Sequence, residues 1–543
     1  MIRFLSAITG AALAFCWGTT TAVAQSSPFI IDRSRIDRTE APPKPEQAPV
    51  PQPKPENQVA QIAPFVLKGV QIQGTSVDPK ILSDAASPYI GRLTDAKAIT
   101  EIAQRISDAY ANAGNVALYT VTVPNQDFRD GTLHLIVTEG YIEHVEVHGD
   151  TNGDVSLVVS MAQKLTSERP LKRSTLERYL SLIRDLPGLT VDAQLLRGDQ
   201  PGAVQLSLGL KQKRYNVALS LNDSGNSLLG RWQFQSDVSL YNLLREGEQT
   251  TVSFGTSTLF NHYQYYAISH SEALDDEGLR ASASYGYLHT RVPSSSLTGD
   301  AQTLQFGASY PLIRSYTENL LLAGSIDGID SSNALLGLAI ANENIRAARL
   351  SASYSLADPR WALALSGSMN IGLDILGARV SNPATETPEF RKLVLQGTYN
   401  HLIGDDWVVR LRAASQLAFD RLPVSELYAL GGPDFGRAFL QATALGDSAL
   451  AESIEIGFDP KAMPGWLSGL EVFGFADYGD TWYRARSPQP SIHETLASAG
   501  AGVRVPIGTK TSLELQAANA LDADVPGLKS GGWRFLFAIT GKY

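Results

Sequence analysis

Two patterns of apolar positions divide this chain. Between residues 64 and 213, short alternating runs are interleaved with stretches of helical period. "FVLKGVQIQG" alternates like a strand. "DAKAITEIAQRISDAYANAG" sets Ile99, Ile102, Ile106 and Tyr110 at helical spacing, with Gly114 as the C-cap. "VALYTVTVP" and "GTLHLIVTEGYIEHVEVHG" then read as strands. The order strand, helix, short helix, strand, strand repeats. In the second round, "STLERYLSLIRDLPG" opens with Ser174 and Glu177 at capping-box spacing and carries Leu176, Leu180 and Ile183 on one face. "TVDAQLLRG" and "AVQLSLGLKQK" close it. The pattern predicts two small α/β modules, residues 64–140 and 141–213, each of roughly 75 residues, a length comparable to small independent domains.

From residue 214 the helical period disappears. In "GLRASASYGYL", Leu279, Ala281, Ala283, Tyr285 and Tyr287 share one face, against Arg280, Ser282, Ser284 and Gly286. "WVVRLRAASQLAF" sets Val409, Leu411, Ala413 and Leu417 against Arg410, Arg412 and Gln416. Such runs continue to the C-terminus between turn-rich connections. A water-soluble sandwich also alternates in this way. A small, polar or charged inner face and the final strand favour a transmembrane antiparallel β-barrel over residues 214–543. In "GWRFLFAITGKY", Trp533, Phe535, Phe537, Ile539 and the terminal Tyr543 share one apolar face. At about 20 residues per strand and connection, this region holds about 16 strands, an even number as in bacterial single-chain barrels. A barrel of that size encloses water unless something fills it.

The N-terminus sharpens the compartment. Arg3, an apolar core over residues 4–17, and Ala22-Val23-Ala24 before Gln25 predict a cleaved secretory signal over residues 1–24. Residues 25–40 are polar with Phe29, Ile30, Ile31 and Ile36, a candidate plug helix. A Pro-rich linker over residues 41–63, containing "APPKPEQAPVPQPKPENQ", predicts an extended polyproline-II-like spacer. The single cysteine, Cys16, falls in the signal, so the exported chain uses no disulfides. A net charge of −10 with 18 % charged residues argues against a nucleic-acid partner. Outside the N-terminus no apolar run reaches the length of a membrane-spanning helix.

Candidate chemistry adds little. The eight histidines are scattered, and no zinc-protease, serine-hydrolase or nucleotide-loop motif is present. "DTNGD" begins like a calcium loop, but Val155 stands at the glycine position and the distal glutamate is absent, so it reads as a solvated turn. Asp327 and Asp330 read as part of a polar loop. No enzyme activity, metal or cofactor is expected. One stretch, "LYALGGPDFGRAFLQ", interrupts the alternation with a glycine-rich loop around Arg437. Its flanks lack the strand-to-helix context of a phosphate site.

A signal, a Pro-rich spacer, two α/β modules and a C-terminal barrel together resemble the TpsB outer-membrane transporters of two-partner secretion. This is the ShlB/FhaC/HecB haemolysin secretion/activation family, in the superfamily of the BamA assembly proteins. The resemblance covers nearly all of the exported chain. In "VPNQDFRDGTLHLIVTEGYIEHVEV", Pro124, Gln126, Asp127, Gly131, Leu133, Glu139 and Gly140 match the end of the first POTRA domain. "PLKRSTLERYLSLIRDLPGLTVDAQLLRGDQPGAVQLSL" resembles a second, ShlB-type POTRA, and "DSGNSLLGRWQF" the lead-in to the first barrel strand. "FGRAF" aligns with the loop motif V-R-G-Y/F through Arg437 and Phe439, with Gly436 before the arginine and Ala438 where glycine is usual as departures. "FADYG" matches F-x-D-x-G through Phe475, Asp477 and Gly479.

The resemblance implies that Arg437 meets Asp477 inside the lumen and locks an inward-folded loop. If glycine in the motif serves a positive φ, Ala438 would be strained. Trp533, Phe535, Phe537 and Tyr543 would form the C-terminal assembly signal. The implied function is an outer-membrane pore that captures an unfolded TpsA-type adhesin or haemolysin in the periplasm and secretes it. Its partners would be that exoprotein, outer-membrane lipid and, during biogenesis, the outer-membrane assembly machinery; a monomer would suffice. An outer-membrane assembly factor and a passive porin stand as alternatives.

Overall fold

The computed structural model describes residues 62–543 apart from 152, 226–229, 293–296, 336–337, 384–385, 461–462, 464–468, 487–489, 526–527 and 529. The expected signal, the 25–40 segment and nearly all of the Pro-rich linker lie outside the described residues. Contacts divide the chain into a module unit and a barrel unit.

The first module runs β1 (Phe65–Val66), β2 (Gly69–Gln73), α1 (Pro79–Ala86), β3 (Leu93–Thr94), α2 (Ala96–Ala113), β4 (Tyr119–Thr122) and β5 (Thr132–Glu139). β2 pairs parallel with β5, and β5 pairs antiparallel with β4. The run expected as one strand from Phe65 is split in two. β1 pairs with β3, and the backbone then changes partner: Lys68 N–H donates to Gly131 O (2.7 Å) and β2 joins β5. α2 forms where its spacing predicts. Asp95 Oδ1 accepts the Ala98 N–H (2.8 Å), and Ile99, Ile102, Ile106 and Tyr110 are all buried against the sheet.

The second module repeats the order with β6 (Tyr141–Asp150), α3 (Ser156–Gln163), α4 (Arg173–Arg184), β7 (Leu189–Arg197) and β8 (Ala203–Gln212). β6 pairs parallel with β8, which pairs antiparallel with β7. The expected Ser174–Glu177 capping box does not form. The helix starts at Arg173, two residues earlier than a Ser174 cap would set it, so Ser174 sits inside its first turn. Glu177 takes a hydrogen bond from Arg173 Nε (2.7 Å), and Asn115 of the first module accepts the Ser174 N–H (3.2 Å). A neighbouring module thus satisfies a helix terminus that its own sequence leaves open.

The barrel comprises β9 (Tyr215–Asn222), β10 (Gln233–Tyr241), β11 (Gln249–Ser257), β12 (Tyr263–Ala273), β13 (Arg280–Val292), β14 (Leu297–Arg314), β15 (Glu318–Leu335), β16 (Leu338–Asp358), β17 (Trp361–Gly372), β18 (Arg391–Ile403) and β19 (Trp407–Ala418). After two short lumenal strands, β20 (Tyr428–Leu430) and β21 (Ala444–Gly446), it continues with β22 (Ser448–Phe458), β23 (Glu471–Tyr483), β24 (Ile492–Ile507), β25 (Thr511–Asp524) and β26 (Trp533–Lys542). Leaving β20 and β21 aside, these strands close a sixteen-stranded barrel, with β26 antiparallel to β9. The expected barrel and its strand number are therefore observed. "DSGNSLLGRWQF" follows the first barrel strand rather than leading into it; it connects β9 to β10.

Alternation fixes which side chains face the lumen. Leu350 on β16, Leu395 on β18, Ile454 and Ile456 on β22, and Val472 and Tyr478 on β23 are exposed outward. Their sequence neighbours therefore point inward. Asp327 and Asp330 lie on strand β15 and not in a loop; they pair with Arg349 and Arg346. "DTNGD" begins at the end of β6, and ahead of α3 Asp154 Oδ1 accepts the Ser156 N–H (3.0 Å).

Candidate functional site: a loop clamped to the inner wall

The connection between β19 and β22 does not stay outside the barrel. β20 and β21 pair antiparallel into a short ribbon that carries the Gly-rich stretch at its tip. Gly431 and Gly432 both take φ +101°, and Gly436 takes φ +81°. Gly436 O accepts the Phe439 N–H (2.9 Å), closing a β-turn with Arg437 and Ala438 at its corners. The left-handed residue is therefore Gly436, ahead of the arginine. Ala438 lies outside that region, so the strain expected of it is absent.

This turn presents Arg437 to the wall. Its backbone N–H and Nε each donate to Asp477 Oδ2 (3.0 Å), and Nη2 donates to Asp477 Oδ1 (2.8 Å). Nη1 donates to Glu455 Oε2 (3.1 Å) and Nη2 also to Ser453 Oγ (2.9 Å). The guanidinium carbon lies 3.5 Å from the Phe475 ring centroid, a cation–π contact. Ser498 Oγ completes the Asp477 shell (3.0 Å). Arg437 is 1 % exposed, which makes it the largest fully buried side chain among the described residues.

The two sequence motifs fit together through this contact. Asp477, Phe475 and Gly479 alternate along β23, so all three face inward. Phe475 lies across bare backbone at Gly500 of β24, where a Cβ would come within 2.6 Å of the ring. Gly479 leaves room for Leu430 of the loop; a Cβ there would sit 2.6 Å from Leu430 Cδ1. Phe439 packs with Leu430, Ala444, Ala451, Leu496 and Ala520, forming an apolar plug beside the ionic one. The motif thus works in layers: glycine, aromatic ring, guanidinium.

Sequence reasoning missed the tier beneath. Arg504 spans Glu455 (Nη1 2.6 Å, Nη2 3.0 Å), Glu471 (2.7 Å) and Glu514 (2.7 Å), and it lies 3.9 Å from the Phe473 ring centroid. Arg410 joins Glu455 (2.9 Å) and Glu471 (2.5 Å). Three guanidinium groups thus face four carboxylates. The readable signal was a run of charged residues at inward positions on successive strands β19, β22, β23, β24 and β25. Arginine stays charged at any working pH and offers a planar fork to carboxylates. Such a lattice holds the loop to the wall by charge-assisted hydrogen bonds. Among the described residues no group of His, Cys, Asp or Glu side chains is arranged to hold a metal ion.

The POTRA motif residues lie elsewhere and do architectural work. Gln126 uses its amide as a peptide mimic. Its Nε2 donates to His134 O (2.8 Å) and its Oε1 accepts the His134 N–H (2.7 Å). A weaker bond runs from Nε2 to Pro124 O (3.3 Å). Asp127 Oδ1 accepts the Arg129 N–H (3.1 Å) in an Asx turn, and Gly131, at φ +81°, closes the next turn by donating its N–H to Phe128 O (3.0 Å). Leu133 is buried in the core. Glu139 accepts from the Tyr110 hydroxyl and from the Ser76 N–H (2.5 Å). Burial, reinforced by the Glu139 carboxylate, pushes the Tyr110 hydroxyl pKa up. Gly140 N–H donates to Leu118 O (2.7 Å), and Gly140 O accepts the Leu171 N–H (2.9 Å), which ties the two modules together.

At the C-terminus, Trp533 and Phe535 are 64 % and 67 % exposed on the outer face, and Phe537 packs edge-on against Trp232. Tyr543 exchanges both backbone hydrogen bonds with Val217 (2.8 and 2.9 Å), closing the barrel.

Comparison with known proteins agrees with this architecture. The family model "Haemolysin secretion/activation protein ShlB/FhaC/HecB" matches residues 203–505, and the model of the ShlB-type POTRA domain matches residues 65–140. The latter falls on the first module, whereas the sequence expectation attached the ShlB-type label to the second. No curated protein matches the chain. CdiB from Escherichia coli is similar in structure, with TM-score 0.68, 18 % identity, and coverage of 92 % of this chain and 94 % of that one. CdiB from Acinetobacter baumannii gives TM-score 0.62 at 16 % identity over 93 % and 95 %. BamA from Haemophilus ducreyi lacking POTRA domains 1–3 gives 0.54 at 13 % identity over 89 % and 100 %. At these identities the neighbours speak for the fold alone, while the family model covers more than half of the chain. The protein belongs to the ShlB/FhaC/HecB haemolysin secretion/activation family, the TpsB branch of outer-membrane β-barrel transporters with periplasmic POTRA domains.

Proposed function

We propose that this protein secretes an unfolded TpsA-type exoprotein, an adhesin or a haemolysin, which it captures in the periplasm through its POTRA modules. The observation that carries the reading is a closed sixteen-stranded barrel with a connecting loop clamped inside it by Arg437. The modules precede β9, so β9 rises from the periplasm and the β19–β22 connection belongs to the cell-surface side. A loop anchored there can obstruct the exit and be displaced by a passing chain. Ser366 of β17 and Gln396 of β18 face each other across adjacent strands at inward positions and are polar and uncharged. A sliding polypeptide of either charge meets nothing there that would hold it.

Capture is assigned to the first module, residues 65–140. β2 and β4 are the outer strands of its sheet, and an extended client adds to such an edge by main-chain hydrogen bonds. Folding of the exported chain outside supplies the drive. Deletion of the gene, followed by mass spectrometry of surface and medium, tests the proposal. Loss of one very large exported protein is expected. Depletion of many barrel proteins would instead indicate an assembly factor, and reduced small-solute entry alone a porin.

A further inference from the structure

A second buried charge cluster sits inside the barrel, apart from the Arg437 site. Its centre is Glu426, in a single turn (Val424–Glu426) at the base of the inward loop. Glu426 is completely buried. Its Oε1 pairs with Arg349 Nη2 of β16 (3.1 Å) and its Oε2 with Lys392 Nζ of β18 (2.9 Å). Arg349 Nε in turn meets Asp327 Oδ1 of β15 (2.5 Å). Glu343 of β16 accepts the backbone N–H groups of Val424 (3.0 Å) and Ser425 (3.2 Å). Arg349 and Lys392 are thus set against Glu426 and Asp327 out of water, and a third buried carboxylate, Glu343, grips the turn by its backbone.

The position of this cluster in the fold matters. The loop is rooted between β19 and β22. Arg437 ties its tip to β22 and β23, on one side of that root. Glu426 ties its base to β16 and β18, on the other side. We infer that Glu426 is a second anchor of the inward loop, so that release from the lumen requires both ion-pair sites to break. A local packing role for Glu426 would add nothing to the hold that Arg437 has on the loop. With two anchors, the release equilibrium is the product of two terms, and weakening either one multiplies the released population. The inference concerns the loop itself and stands independently of which polypeptide is exported.

A thiol-accessibility experiment on the full-length protein separates the two cases. Outside the signal the chain has no cysteine. Ala444, on β21, is buried within the loop's apolar contacts, so Ala444→Cys is protected while the loop is docked. A membrane-impermeant maleimide applied to intact cells reads its release. Glu426→Gln should raise the labelling rate by about tenfold or more, as loss of a buried ion pair shifts such an equilibrium. Arg437→Ala should do the same, and the double variant should show the product of the two factors.

Glu426→Gln also leaves Lys392 uncompensated in the wall, so barrel folding is followed in parallel by the gel mobility of unboiled protein. Adding Lys392→Met restores the charge balance, because Arg349 keeps Asp327. The account expects this Glu426→Gln/Lys392→Met protein to regain parental gel mobility while Ala444→Cys stays labelled. Labelling within about twofold of the parent for Glu426→Gln would overturn the inference, being well under the effect of a broken buried pair. Protection regained together with wall balance would overturn it equally, since Glu426 would then act on the wall and not on the loop.

Discussion

Arg437→Ala removes the most heavily bonded side chain of the candidate site, and the structure sets the size of the loss. Glu455 keeps Arg410 and Arg504. Asp477 loses its arginine and keeps Ser498, so it becomes the orphaned charge. Breaking a buried ion pair from one side costs about 3–5 kcal/mol. The low end applies, because once the loop lifts, lumen water reaches Asp477; we expect about 3 kcal/mol. Asp477→Ala takes from Arg437 its main carboxylate and leaves it Glu455 and Ser453, so that loss should be the smaller of the two. The double variant leaves no orphan at either end, so its loss should fall short of the sum by about 2–3 kcal/mol, at the upper end of measured couplings. The assay is reversible denaturant unfolding of the purified, lipid-reconstituted protein, read by gel mobility. Equal and additive losses, within about 0.5 kcal/mol, would refute the pair as an energetic unit.

Three further outcomes follow from the same geometry. Gly436→Ala places a side chain at φ +81° and should cost about 1–2 kcal/mol, whereas Ala438→Gly, outside that region, should cost under about 1 kcal/mol; the same unfolding assay compares them. Gly479→Ala drives a methyl against Leu430 and should destabilise by about 1–3 kcal/mol, relieved by Leu430→Ala in the same protein. In the first module, the folded Tyr110 pKa lies above its unfolded value. Its contribution is therefore complete below about pH 10 and lost as pH rises towards the folded value. Tyr110→Phe should lower module stability by about 1 kcal/mol at neutral pH and flatten this alkaline loss. Far-UV circular dichroism follows it, because the described α-helices all lie in the modules.

The barrel was legible in the chain because its code is local. In β13 the alternation of Ala281, Ala283 and Tyr285 with Arg280, Ser282 and Ser284 assigns outer and inner faces without knowledge of any partner strand. The helix α2 was legible for the same reason, from four apolar residues at one spacing. What failed depended on contacts distant in sequence. Ser174 and Glu177 match a capping box, but Asn115 of another module reached the helix terminus first. The run from Phe65 alternates as one strand, yet its two halves have different partners. Asp327 looked like a loop residue because its partner, Arg349, lies 22 positions away.

The site was half visible. Arg437 and Asp477 stood out only through a family resemblance, since 40 positions separate them. Glu455, Arg410 and Arg504 look in sequence like any polar residue of an alternating strand. Their role comes from lying at one height on neighbouring strands beneath the same loop, a relation that register determines and composition does not. The question raised by Ala438 likewise needed backbone angles, because the glycine demanded by the turn stands two positions earlier.

The central claim is that an exported polypeptide passes through this lumen. Site-specific photocrosslinking during export tests it most directly, with the photoreactive residue at Ser366, which faces inward, or at Leu395, which faces lipid and is exposed there. A covalent adduct with one very large exported protein is expected from Ser366 and none from Leu395. Adducts from Leu395 alone, or from neither position while secretion continues, would contradict it.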